Sequence, residues 1–146
     1  MLTDLIIATP EEAAAILNVP GHASVWPTLE AKGLDPVKLA TLRFILMKAE
    51  PADASKVAAY VKTFEALADE GEAGPWLRAV PEDLGHLLAQ LPASDIPAVA
   101  AAWARTEELK LDGWHAADAE PFLGELSVFA AGAAAQGKRL LLWLCL

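Results

Sequence analysis

One short stretch, Asp112 to Asp118, holds the residue types with the makings of a chemical site: Asp112, Trp114, His115 and Asp118 fall together there. A carboxylate beside an imidazole can orient it as a general base, and an indole can wall a pocket around the reacting group. The same residues equally satisfy a structural role. Asp112-Gly113 would then make a turn, Trp114 would plug the core, Asp118 would cap a helix and His115 would stand exposed. Of the other histidines, His86 has Glu82 one helical turn before it, a spacing that suits a metal pair but more simply an exposed ion pair. His22 follows Pro20-Gly21 with no neighbouring acid or thiol and is assigned no role.

Five tryptophans are many for 146 residues. Trp103 and Trp143 lie within apolar patterns and read as core. Trp26, Trp76 and Trp114 lie in or beside loops, where an indole either staples the loop or is offered to a partner; Trp26 and Trp76 are the candidate interaction residues. Arg43 and Arg78 stand among apolar neighbours and are expected to pair with carboxylates of the same chain. Cys145, the one cysteine, is flanked by leucines and is expected to be buried and inert. A lone cysteine allows no intrachain disulfide and no multi-cysteine metal site. Phosphate-binding loops, GxSxG elbows and HExxH helices do not occur, and no cofactor or metal is expected.

Net charge sharpens the exclusions. At −9, with an isoelectric point near 4.7, the chain lacks the basic surface that nucleic-acid binding requires, so any electrostatically recognised macromolecule should be basic. Apolar residues make up 55% of the chain, but alanine supplies much of that fraction, and no segment reaches the roughly 20 apolar residues of a membrane span. No Lys or Arg precedes the first apolar run, which is unlike a secretory signal; a cytoplasmic protein of one domain, residues 1–146, is expected.

The elements that must position these residues are punctuated by proline and glycine. DLIIA, residues 4–8, and WLRAV, residues 76–80, read as strands. Thr9-Pro10-Glu11-Glu12 carries a capping box and opens a helix to about Leu17. Pro27 to Glu30 is expected to form a short helix. Asp35-Pro36 opens a helix running to Lys48, and Glu50-Pro51 breaks the chain after it. The next helix, from Asp53 or Ser55, carries a stripe of Val57, Tyr60, Val61, Phe64, Leu67 and Ala68. Further helices follow Pro81 and Ser94, the latter to about Leu109, and residues 111–117 are expected to be a loop. A last helix, with Asp118 as N-cap and Pro121 in its first turn, ends at Gly137 and leads into KRLLLWLCL. That terminal run is apolar on both faces and belongs in the middle of a covered sheet. An α+β fold follows, predominantly helical, with a small sheet that includes the C-terminal strand.

Val80-Pro81-Glu82-Asp83-Leu84 and the ending Phe122…Phe129-Ala130-Ala131…Gly137-Lys138-Arg139-Leu140-Leu141-Leu142-Trp143 resemble the YfbM-like family of uncharacterised bacterial proteins over roughly the second half of the chain. The resemblance implies a bacterial origin and a compact α+β domain in which a late helix passes through glycine into a final apolar strand; it implies no catalytic residues. The net charge, the absence of catalytic motifs and the loop tryptophans together point to a non-catalytic interaction module, of immunity or regulatory type, for a basic protein. The alternatives are a small enzyme or ligand-binding domain with a pocket near Trp114, His115 and Asp118, and a homodimeric structural protein.

Overall fold

The computed structural model describes residues 1–49 and 53–146, so the break expected at Glu50-Pro51 lies outside the described residues. Five strands form one antiparallel sheet: β1 (Leu2–Ala8), β2 (Thr28–Glu30), β3 (Glu65–Asp69), β4 (Trp76–Ala79) and β5 (Arg139–Cys145), in the order β2-β1-β5-β4-β3. Among the described residues seven α-helices accompany it: α1 (Ala13–Asn18), α2 (Pro36–Leu46), α3 (Ala54–Val61), α4 (Glu82–Ala89), α5 (Ile96–Ala104), α6 (Glu107–Leu111) and α7 (Ala116–Ala135). The architecture is the α+β fold, mainly helical, that the sequence pattern calls for, with more strands than the three its apolar runs mark.

The terminal strand occupies the centre. β5 pairs with β1 from Leu2↔Cys145 to Ala8↔Arg139, and with β4 from Trp76↔Leu144 to Ala79↔Leu141. Its side chains alternate between two apolar layers. Leu140, Leu142 and Leu144 join Leu5, Ile7 and Val80 beneath the helices, while Leu141 and Trp143 join Ile6, Ala8, Leu77 and Ala79 on the other face. That second face is covered by Ala13, Ile16 and Leu17 of α1 and by Trp26. With both faces covered, the strand needs no polar alternation, which is why its sequence is an unbroken apolar run.

Two expected helical segments are strands. Residues 28–30 pair with β1, Asp4↔Glu30 to Ile6↔Thr28, and the Ile7 N–H donates to the Pro27 carbonyl at 3.0 Å, so β1's outer edge takes the backbone groups that a helix would have used internally. The α3 stripe ends early because Phe64 stays beneath the helices while Leu67 and Ala68 pass to the opposite face of the sheet. Pairing with β4 overrides the helical spacing, and a bulge between Ala66 and Ala68 absorbs the mismatch. The helix expected to run to Leu109 breaks at Thr106, whose hydroxyl donates to the Trp103 carbonyl at 2.6 Å. It divides into α5 and α6, and α6 occupies part of the expected loop. Cys145 is only partly buried, contrary to expectation, because it lies at the strand's last position.

Polar side chains tie the layers at their margins. Arg43 donates to Asp83 at 2.8 Å and lies 4.4 Å from the Tyr60 ring centroid, and the Tyr60 hydroxyl donates to the other Asp83 oxygen at 2.8 Å, joining α2, α3 and α4. Partial burial opposes the charge on Asp83, but the hydrogen bonds from Arg43 and Tyr60 prevail and hold its carboxyl below the ordinary value. Burial, followed by the Asp83 contact, raises the Tyr60 phenol far above its ordinary range. Arg78 forms no ion pair among those of the described residues.

Glu12 does two tasks. Its Oε1 accepts from the Thr9 N–H at 3.0 Å, completing the capping box, and its Oε2 accepts from the Trp26 indole at 2.8 Å. These bonds, the Thr9 backbone bond first, hold its carboxyl below the ordinary 4.5. The stability it contributes is therefore fully present above pH 4.5 and is lost as pH falls through the lowered folded value. Glu12→Ala is expected to cost about 1 kcal/mol at neutral pH and to flatten the acid limb of a urea-denaturation pH profile below about 4.5. An unchanged acid limb would show that the carboxylate contributes nothing.

Candidate functional site

Lys38 is the residue around which a site forms, although no motif announces it. The α2 N-cap, Asp35, accepts from the Lys38 N–H through Oδ1 at 2.8 Å, and Pro36 sets the first turn. This places Lys38 on the core side of α2 beside Leu39 and Leu42, with its side chain only 4% exposed. The stem is buried and the residue is among those that line a cleft. There it donates to Asp112 and to the Gly33 carbonyl, with Asp35 Oδ2 3.8 Å away. Its carbonyl accepts from the Trp103 indole at 3.0 Å, so one residue joins α2, the loop before it, α5 and the turn after α6.

The cleft measures about 810 Å³. Trp114 and Phe122 form an aromatic wall, in edge contact with centroids 5.4 Å apart, backed by the buried Trp103 at 6.0 Å and 6.4 Å respectively. Asp35, Asp112 and Asp118 border it, with Lys32 and Lys38, and the left-handed glycines Gly33 and Gly113 shape its two turns. A second groove, about 940 Å³, lies between α2, α3 and the α5–α6 junction; its walls are chiefly apolar, and its borders Ala49 and Ala54 flank the undescribed residues. Convergent polar groups beside an aromatic surface distinguish a small-molecule site, and the Lys38 cleft has them.

Asp112, Trp114 and Asp118 therefore meet at one cleft, and His115 does not join them. His115 lines an adjoining depression of about 380 Å³, which shares Gly113 and Trp114 with the cleft and is bordered by Arg105 and Lys110. His115, not Asp118, is the N-cap of α7. Asp118 sits at the third helical position and its carboxylate reaches back to accept the His115 N–H at 3.0 Å. Pro121 consequently lies beyond the first turn, at an exposed position where water can take the freed carbonyl. The general-base arrangement has no geometric counterpart, since Asp118 holds the His115 backbone rather than its ring and Asp112 holds Lys38.

The other candidates serve the fold. Trp26 is fixed by Glu12 on the second sheet face, and Trp76 lies in β4, packed against the principal core. His22 is buried after all: its Nε2 is 2.7 Å from Asp4 Oδ2 and its ring centroid 4.8 Å from that of Trp143, pinning the turn at residues 22–24 to the sheet. That acid lies 18 positions away, so local sequence could not reveal it. Glu82 faces Arg139 at 3.4 Å rather than forming a metal pair with His86. Among the described residues no group of three or more His, Cys, Asp or Glu could hold a metal ion, and no helix is long and apolar enough to cross a membrane.

No protein-family model matches the chain, and no curated protein matches it in sequence. Among solved structures it is similar to YfbM from Escherichia coli, a protein of unknown function, at 16% identity over 99% of this chain and 100% of that one, with a TM-score of 0.48. Nothing in that likeness assigns a role to a residue here.

The Lys38–Asp112 pair is asymmetric, with side-chain exposures of 4% and 50%. Removing the exposed partner leaves a buried ammonium with the Gly33 carbonyl and a longer Asp35 contact at 3.8 Å, whereas removing the buried one leaves a carboxylate in water. Asp112→Asn is expected to destabilise by roughly 3 kcal/mol and Lys38→Met by less than about 1 kcal/mol. Equal losses in chemical denaturation would show that the pair is not controlled by burial.

Proposed function

We propose that this chain is a small-molecule-binding domain whose ligand occupies the cleft between the α2 N-terminus and the turn leading into α7. One observation carries the reading: Lys38, its side chain 4% exposed, lines a cleft of about 810 Å³ whose wall is Trp114 and Phe122. Such a volume is within the range that encloses a metabolite-sized compound, and an aromatic wall supplies apolar contact area while the polar side fixes orientation. Binding rather than turnover is the natural role. His115 lines the adjoining depression, and the cleft carboxylates are engaged in a cap, a cap and an ion pair.

Differential scanning fluorimetry against a broad panel of small metabolites tests this. A true ligand at a hundredfold excess over its Kd stabilises by about 2.7 kcal/mol, a shift of several degrees, and Trp114→Ala should abolish that shift in a protein that still unfolds cooperatively. A panel in which nothing raises Tm, or a shift that survives Trp114→Ala, would refute the assignment.

A second reading, a non-catalytic module of immunity or regulatory type for a basic protein, draws support from the sheet edge. β3 ends the strand order, and Glu65, Asp69, Glu70 and Glu72 are exposed on and beside it. An open edge can receive an extended segment, and the acids favour a cationic one. Trp26 and Trp76 lend this reading little, because both are held by their own chain. A lysine-rich extended peptide should bind with an affinity that falls steeply with salt and is lost in Glu65→Lys/Asp69→Lys; binding indifferent to both changes would count against it.

A further inference from the structure

We infer that the ligand of the Lys38 cleft is a neutral, polyhydroxylated molecule with one apolar face, of the sugar or cyclic-polyol class; this rests on the small-molecule reading above. Each cleft carboxylate has its charge already answered within the fold. Asp112 meets the Lys38 ammonium, while Asp35 and Asp118 sit at the N-terminal ends of α2 and α7, where backbone N–H groups and the helix dipole favour a negative charge. Each nevertheless has acceptor capacity to spare. Asp112 and Asp118 use Oδ2 in those hydrogen bonds, and Asp35 uses Oδ1, which leaves one oxygen of each without such a bond.

A ligand entering here thus meets surplus lone pairs with little surplus charge. An anion would find the two helix N-termini and the Lys38 ammonium already met by the protein's own carboxylates, with Lys32 the one further lysine among the described residues at the border. A cation would have Lys32 and Lys38 alongside. Hydroxyl groups suit the arrangement best, since each donates to a carboxylate without bringing a charge to be desolvated. Trp114 and Phe122 complete the match, because the C–H face of a pyranose or cyclitol ring is apolar and flat enough to lie against an aromatic wall. A volume of about 810 Å³ leaves room for one or two such rings.

The test is a 15N-HSQC titration of the full chain with a panel of neutral mono- and disaccharides and cyclitols, run beside organic ammonium compounds and carboxylates, at low and high salt. The expected result is saturable shifts from at least one neutral polyol at the Gly33, Gly113 and Trp114 backbone amides. Its Kd should change less than twofold between 20 and 500 mM salt in wild type, and by less than about twofold in Lys32→Glu, because a neutral ligand is not screened and feels the reversed rim charge only weakly. Saturation by a charged compound, with all polyols silent, would overturn the ligand class and leave the binding cleft standing. Silence from every class would overturn both.

Discussion

The constraint on which the structure depends is that β5 must be covered on both faces. Its side chains alternate between two apolar layers, so neither face can meet water. Central placement in a five-stranded sheet follows, and with it the need for helices on one side and the α1 and Trp26 cover on the other. The long helix immediately before β5 turns the small residues Ala130 and Ala133 inward, which lets it lie close against its neighbours. The small-residue stripe and the large-residue strand are thus complementary parts of one packing solution.

Lys38 is the second organising point, and it works by a different principle. Burying an ammonium costs free energy unless its donors are met, and here Asp112 and the Gly33 carbonyl meet them from two separate segments. The loop before α2 and the turn between α6 and α7 are consequently held at fixed positions on either side of one cation. The cleft is the space those two segments leave between them, with the Trp114 ring in contact with those of Trp103 and Phe122.

How much of this was legible follows from the range over which each signal acts. The β5 run, the Asp35-Pro36 start and the glycine exit of α7 are local, and each could be read from a few neighbouring residues. β2 and β3 could not, because three residues of TLE and a stripe that mimics helical spacing become strands only when β1 and β4 are available to pair with them. The chemically suggestive stretch contributed Asp112, Trp114 and Asp118 to the cleft and left His115 outside it. Sequence proximity fixed the backbone of that stretch but not the direction of each side chain. His22 and Asp4 were illegible for a different reason, since they lie 18 positions apart, on either side of α1 in the chain.

Lys38 itself left a faint trace in the sequence. It is the third residue of α2, a helix with no acid in its first turn, where a cation opposes the helix dipole. Local electrostatics disfavours that placement, which Asp35 at 3.8 Å offsets only in part, and a lysine so placed and followed directly by core-facing leucine is a candidate for a buried ammonium with a distant acid. The compensation is Asp112, whose sequence separation from Lys38 is 74. Violations of a local preference are informative in this way: the fold supplies the missing partner, and where the partner arrives on a turn beside aromatic side chains, the result is polar groups beside an apolar wall. That combination is what gives a helix start of ordinary appearance a cleft with a polar side and an aromatic wall.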